Sequence, residues 1–248
     1  MNRVALALAI VLSLSATSGA RAEVRIVVSV ASSLRDAVDE IAGLYRSATG
    51  VLVDLNTGGS NTLARQIVAG ARVDVFLSAD DRQMDVVERA GLVAQGTRTA
   101  LVTNELVLVA PVDAPAWLTA AGVLSGRISR LAMGEPSSVP AGVYGRQWLE
   151  HEGAWTTLSP KVVPFPTVRA VVAAVDAGRV DAGIVYATDV QGSTLRVLRR
   201  VTGLADLHIV YSAAVITSSS EAEGRRFVQF LLGESARAVF TRHGFGLP

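Results

Sequence analysis

The 248-residue sequence has no cysteine and only three histidines. Without thiols there is no disulfide, no thiolate nucleophile and no cysteine-held metal. His151, His208 and His243 are scattered, with none of the His-x-x-x-His spacing that would suggest a metal. No base is placed to activate a hydroxyl nucleophile. Gly58-Gly59-Ser60-Asn61-Thr62 fails the Gly-x-Ser-x-Gly elbow at its last position, and no Gly-Lys-Ser/Thr phosphate loop occurs. Aromatics are 5% of the chain, and Trp117, Trp148 and Trp155 do not alternate with basic residues. An aromatic nucleic-acid face is therefore excluded. Lys161 is the only lysine, a compositional bias towards arginine.

The amino terminus is the one long apolar stretch. Met1-Asn2-Arg3 is a short basic start, Val4 to Ala16 is apolar apart from Ser13 and Ser15, and Ala20-Arg21-Ala22 is a small-x-small cleavage pattern. This is the layout of a secretory signal peptide over 1–22, and the run is shorter than the roughly 20 residues a membrane span needs. The expectation is export to the periplasm with no membrane insertion after cleavage. Without Arg3 and Arg21 the 23 basic residues become 21, against 22 acidic. So balanced a chain is no electrostatic trap for nucleic acid or anionic lipid.

Half of all residues are hydrophobic and 18% are charged, enough for a large core. Apolar β-branched segments alternate with helical ones. Strands are expected at Val24–Val30, Val51–Leu55, Val73–Ser78 and Leu106–Ala110. Helices are expected at Arg35–Ser47, with Ala37, Val38, Ile41, Leu44 and Tyr45 on one side, at Thr62–Ala69, and from an Asp80 cap to about Ala90. The rhythm then restarts. Strands are expected at Arg130–Met133, Lys161–Val163, Ala182–Tyr186 and His208–Thr217. Helices are expected at Pro140–Glu150, at about Thr167–Ala177 and within Glu221–Phe240. This is the pattern of mainly parallel sheets flanked by helices. The second set reads as inserted into the first, leaving lobe one near Asn104 and rejoining it near Tyr211. The division is 23–104 plus 212–248 for lobe one and 105–211 for lobe two, with two extended crossings as a hinge.

Ligands of such sheets bind beyond the carboxyl ends of strands, where helices begin. Four such junctions are rich in small residues and donors: Ala31-Ser32-Ser33-Leu34-Arg35-Asp36, Thr57-Gly58-Gly59-Ser60-Asn61-Thr62, Ser137-Ser138-Val139-Pro140-Ala141-Gly142 and Phe165-Pro166-Thr167-Val168-Arg169. A helix start offers unpartnered N–H groups and about +0.5 of partial charge, so several together suit an anion without any formal cation. Ser33 and Ser60 would add hydroxyl donors. Each junction also has a plain structural reading. Ser33-x-x-Asp36 is a capping-box variant with Asp36 turned back to the cap, and Gly58-Gly59 is a turn. A fully ionised tetrahedral anion only accepts hydrogen bonds, so its site should hold donors alone. Glu135, an acid close to one junction, keeps a protonated phosphate or a metal-like site open.

At these junctions the sequence resembles the periplasmic molybdate-binding proteins of molybdate ABC transporters. The resemblance covers nearly the whole chain after residue 22. It is carried by Ala31-Ser32-Ser33-Leu34, Gly59-Ser60-Asn61-Thr62-Leu63-Ala64-Arg65-Gln66-Ile67, Asp74-Val75-Phe76-Leu77-Ser78-Ala79-Asp80 and Asn104-Glu105-Leu106-Val107-Leu108-Val109-Ala110-Pro111. Further on it shows in Val139-Pro140-Ala141-Gly142-Val143-Tyr144, Gly153-Ala154-Trp155-Thr156-Thr157-Leu158-Ser159-Pro160 and Asp181-Ala182-Gly183-Ile184-Val185-Tyr186.

The resemblance implies an α/β protein of the two-lobed, type II periplasmic binding fold that closes on an anion and presents it to an inner-membrane permease. Its ligand would be molybdate or tungstate, with no cofactor, no catalysis and a monomeric state. By the same resemblance Ser33 and Ser60 donate from the first two junctions, Ala141 and Val168 by backbone N–H from the other two, and Tyr186 by its phenol. Asn61 stands where relatives often carry a hydroxyl, and Arg169 is expected to face outward or brace its loop. The alternatives are a receptor for sulfate or another tetrahedral oxyanion, and a periplasmic sensor or enzyme using the same cleft.

Overall fold

A computed structural model describes residues 24–202, 208–218 and 220–248, so the expected signal peptide lies outside the described residues. The strands are β1 (Arg25–Ala31), β2 (Leu52–Gly58), β3 (Val75–Ser78), β4 (Thr99–Asn104), β5 (Leu106–Ala110), β6 (Leu131–Gly134), β7 (Val162–Phe165), β8 (Ala182–Tyr186), β9 (Arg196–Arg200) and β10 (Ile209–Val215). The helices are α1 (Arg35–Thr49), α2 (Ser60–Val68), α3 (Asp81–Arg89), α4 (Ala120–Leu124), α5 (Pro140–His151), α6 (Trp155–Leu158), α7 (Val168–Asp176), α8 (Glu221–Leu231) and α9 (Glu234–Arg242).

The strands form two five-stranded sheets, ordered β2-β1-β3-β10-β4 and β7-β6-β8-β5-β9. In each, four strands run one way. The reversed strand is β10 in the first sheet and β5 in the second. The chain passes to the second sheet between Asn104 and Leu106 and returns after Arg200. On the return, Ile209 pairs with Asn104 in the first sheet. The two lobes of a periplasmic binding fold are thus built on one sheet each.

Local rules explain most elements. In α1, Ala37, Val38, Ile41 and Tyr45 are buried at helical spacing, and the helix ends at Gly50, whose φ of 76° suits a residue without Cβ. Leu44, placed with them on sequence grounds, is 40% exposed. It lies just beyond the edge of the stripe. Strands β4 and β9 had no counterpart in the sequence reading. In β9, Arg196, Arg199 and Arg200 interrupt the apolar pattern. Strand β2 runs on to Gly58, and α2 starts at Ser60 rather than Thr62. Gly59 alone makes the turn between them, which sets Ser60 at the tip of its helix. Among the described residues, no helix is long and apolar enough to cross a membrane.

Candidate functional site

All four donor-rich junctions meet at one place. The start of the helical run into α1, the first residue of α2, and the starts of α5 and α7 line a single small cavity between the sheets. Ala79 and Tyr186 complete its wall. Each helix start has a local cause. Pro140 occupies the first turn of α5, where a missing N–H costs little. The Thr167 hydroxyl accepts from Ala170 N at 3.2 Å and caps α7. Gly142 lets α5 pack against β6, since a Cβ there would sit 2.2 Å from the Gly134 carbonyl oxygen.

Ser33, Ser60, Ala141, Val168 and Tyr186 all line this cavity and are all buried. The hydroxyls are set as donors by what surrounds them. Ser60 Oγ accepts from Ala79 N–H at 3.0 Å, which leaves its own proton to give. Ser33 Oγ lies 3.0 Å from Tyr211 Oη, and Tyr211 Oη accepts from Asn104 Nδ2 at 3.1 Å. If Ser33 also donated to that oxygen, the Tyr211 proton would have no acceptor among the described residues. The satisfied arrangement has Tyr211 donating to Ser33, which frees the Ser33 proton for the cavity. Tyr186 Oη is buried with no partner, a state that costs stability unless a ligand completes it. Its phenol is held well above its ordinary value, chiefly by burial, so it keeps its proton.

No carboxylate and no cation lines the cavity. The charges stand one layer back. Asp80 caps α3 by accepting from Gln83 N at 3.0 Å, and burial pushes its carboxyl up to about 6. Asp189 accepts from Tyr186 N–H at 3.3 Å, and desolvation pushes it up to about 7 against the pull of that bond. Glu135, the acid the sequence left open, accepts from Ser137 on its own loop. What faces inward is therefore hydroxyls, backbone N–H groups and the positive ends of four helices.

Two sequence expectations at the rim need correction. Neither Ser33 nor Asp36 caps the helix: Ser33 bonds Tyr211, and Asp36 Oδ2 takes a bond from Arg169 of the other lobe at 2.6 Å. The capping-box reading fails because better partners arrive from elsewhere in the fold. Arg169, expected to face outward or brace its own loop, instead reaches across to the other lobe and donates also to the Ser32 carbonyl at 2.6 Å. Asn61 spans the cleft to Ser138 Oγ at 3.1 Å. Sequence reasoning missed Tyr211 and Asn104. A tyrosine in an apolar strand gives no local sign that its hydroxyl orients a serine 178 residues away.

Residues 26–246 match the family described as bacterial extracellular solute-binding protein. The chain is 36% identical over 233 residues to the molybdate-binding protein ModA of Escherichia coli, covering 90% of this chain and 89% of that one. It is 34% identical to the Mycobacterium tuberculosis molybdate-binding protein ModA, over 94% of this chain and 87% of the relative. Among solved structures, the substrate-binding domain of a molybdenum ABC transporter from Clostridium difficile is 30% identical. It superposes with a TM-score of 0.69, over 91% of this chain and 99% of that one. The periplasmic molybdate-binding protein of Azotobacter vinelandii, at 24% identity, gives a TM-score of 0.80 over 90% and 99% of the two chains and shares the fold.

Proposed function

The chain belongs to the bacterial extracellular solute-binding protein family, a family of carriers and not of enzymes, and from that premise we propose that it captures molybdate, and tungstate equally, for an ABC transporter. One observation carries the reading. Residues from both halves of the chain line one small cavity that has hydroxyls and helix starts in its wall and no carboxylate. A bare dianion suits such a wall, whereas a protonated phosphate would need an acceptor inside it. Ser33, Ser60 and Tyr186 would donate by hydroxyl, and Ala141 and Val168 by backbone N–H.

In this reading the anion meets one lobe first, and closure brings the donors of the other. The lobes are 23–104 with the carboxyl-terminal segment, and the inserted unit from 105. The switch of sheet partner supports moving the second boundary from 211/212 to just before Ile209. Selection is by size. Sulfate offers the same acceptors on a smaller tetrahedron, so a donor ring set for longer metal–oxygen bonds leaves it with stretched contacts. Each lost charge-assisted bond costs about 1–3 kcal/mol, and two or three amount to several powers of ten in affinity. Molybdate and tungstate are too close in size for this wall to separate. The protein would work as a periplasmic monomer and hand its cargo to an inner-membrane permease.

Calorimetry of the chain lacking residues 1–22, with molybdate, tungstate, sulfate and phosphate, tests this directly. Tight binding of the first two and weak binding of the others is expected. Preference for sulfate or phosphate, or turnover of an ester in the cleft, would overturn it.

A further inference from the structure

We infer that Arg169, which stays outside the cavity, is the residue that couples lobe closure to the grip on the anion, acting through the Ser32–Ser33 peptide. The inference rests on the oxyanion reading of the cavity above. Arg169 follows Val168, whose backbone lines the cavity from lobe two. Its Nε donates across the gap to Ser32 O at 2.6 Å, and its Nη2 donates to Asp36 Oδ2 at 2.6 Å. The Ser32 carbonyl and the Ser33 N–H are opposite ends of one planar trans peptide. With the oxygen turned to Arg169, the N–H turns the other way, towards the wall that Ser33 gives the cavity.

A guanidinium on the oxygen end polarises that peptide and strengthens its N–H as a donor. The same carbonyl also accepts from Arg35 N–H, which adds to the effect. The cation therefore acts on the anion without entering the site. It can do so only when the lobes are shut, because it belongs to one lobe and the peptide to the other. The ion pair with Asp36 is not the source of the effect. Asp36 is 64% exposed and Arg169 37% exposed, and such pairs contribute little. Asp36 serves to aim the guanidinium. Arg169 is thus a positioning residue, not a ligand.

The test compares Arg169→Met, Arg169→Lys and Asp36→Ala in the chain lacking residues 1–22. Affinity and release rate are measured with molybdate, tungstate, sulfate and phosphate, and melting temperature without ligand. Arg169→Met should lose about tenfold or more in affinity, through faster release, with an unchanged ligand-free melting temperature. Arg169→Lys should recover part of it, and Asp36→Ala should lose less than about threefold. Affinity within twofold of the parent in Arg169→Met overturns the inference. So do equal losses in Arg169→Met and Asp36→Ala, which would mark a mere strap. If the parent protein prefers another oxyanion whose binding still depends on Arg169, the molybdate reading falls and this one stands. If the parent binds none of the four, both fall.

Discussion

Ser33 and Tyr211, 178 residues apart in the chain, meet oxygen to oxygen at 3.0 Å, and the Asn104 amide donates to the far side of that phenol. The relation fixes which way the Ser33 proton points. Tyr211→Phe removes the donor to Ser33 and lets the serine proton turn elsewhere. One such bond is worth about 1–2 kcal/mol, so molybdate affinity should fall about tenfold. Calorimetry on the variant measures it. Unchanged affinity would show that Ser33 needs no orienting partner.

Tyr186 presents the opposite case, a buried hydroxyl that no other protein group bonds among the described residues. Tyr186→Phe keeps the ring packed 5.7 Å from that of Tyr211 and deletes only the oxygen. The anion loses a donor worth about 1–3 kcal/mol. The rise in melting temperature on adding saturating molybdate should shrink accordingly. A rise equal to that of the parent would remove Tyr186 from the binding set.

Gly59 sits where the lobes touch. A Cβ at this position would lie 2.6 Å from the Pro166 carbonyl oxygen of the other lobe. The glycine is at φ −68°, a conformation alanine accepts. Asn61 Oδ1 of the same lobe would also lie 2.8 Å away, on a side chain that can turn, so the rigid obstacle in Gly59→Ala is the Pro166 backbone met when the lobes are shut. Overpacking of this kind costs about 1–3 kcal/mol. Affinity should drop by about tenfold or more while the ligand-free protein melts as before. A drop in the ligand-free melting temperature would place the strain within lobe one instead.

Acidity offers a fourth check. Asp189 and Asp80 are pushed up to about 7 and about 6 from an ordinary 3.8. Each holds its proton more tightly folded than unfolded. Their contribution to stability is thus fullest below about pH 4 and is lost as pH rises through 6 to 7. The ligand-free protein should melt at lower temperature at pH 7.5 than at pH 5. Asp189→Asn should flatten the decline, and Asp80→Asn should too while keeping the cap, since asparagine caps as well as aspartate. A melting temperature that climbs over this interval would contradict both assignments.

Local pattern carried the reading of elements a long way and the reading of contacts less far. Helix α1 was legible because its buried positions repeat at helical spacing, and Ser33 and Ser60, with the junctions that hold Ala141 and Val168, because strand ends rich in small residues mark helix starts; family likeness singled out Ala141 and Val168 within them. Strand β9 was not legible, because its arginines break the apolar run that identifies a strand. Asp36 was misread because its partner, Arg169, lies 133 residues away and no sequence rule pairs them. Tyr186 was named from family likeness alone. The unbroken apolar run of β8 marks it as core, and only the cavity tells a wall residue from a filler.

The pairing of Ile209 with Asn104 has a mechanical consequence. Both chain crossings leave from neighbouring strands that are bonded to each other, so neither can twist without turning its neighbour. Paired strands of this kind favour a swing of the two halves about one line over a slide. Opening, release and the shape offered to a receiving partner become positions along a single arc, and a change that stiffens that arc at either strand would slow all three together.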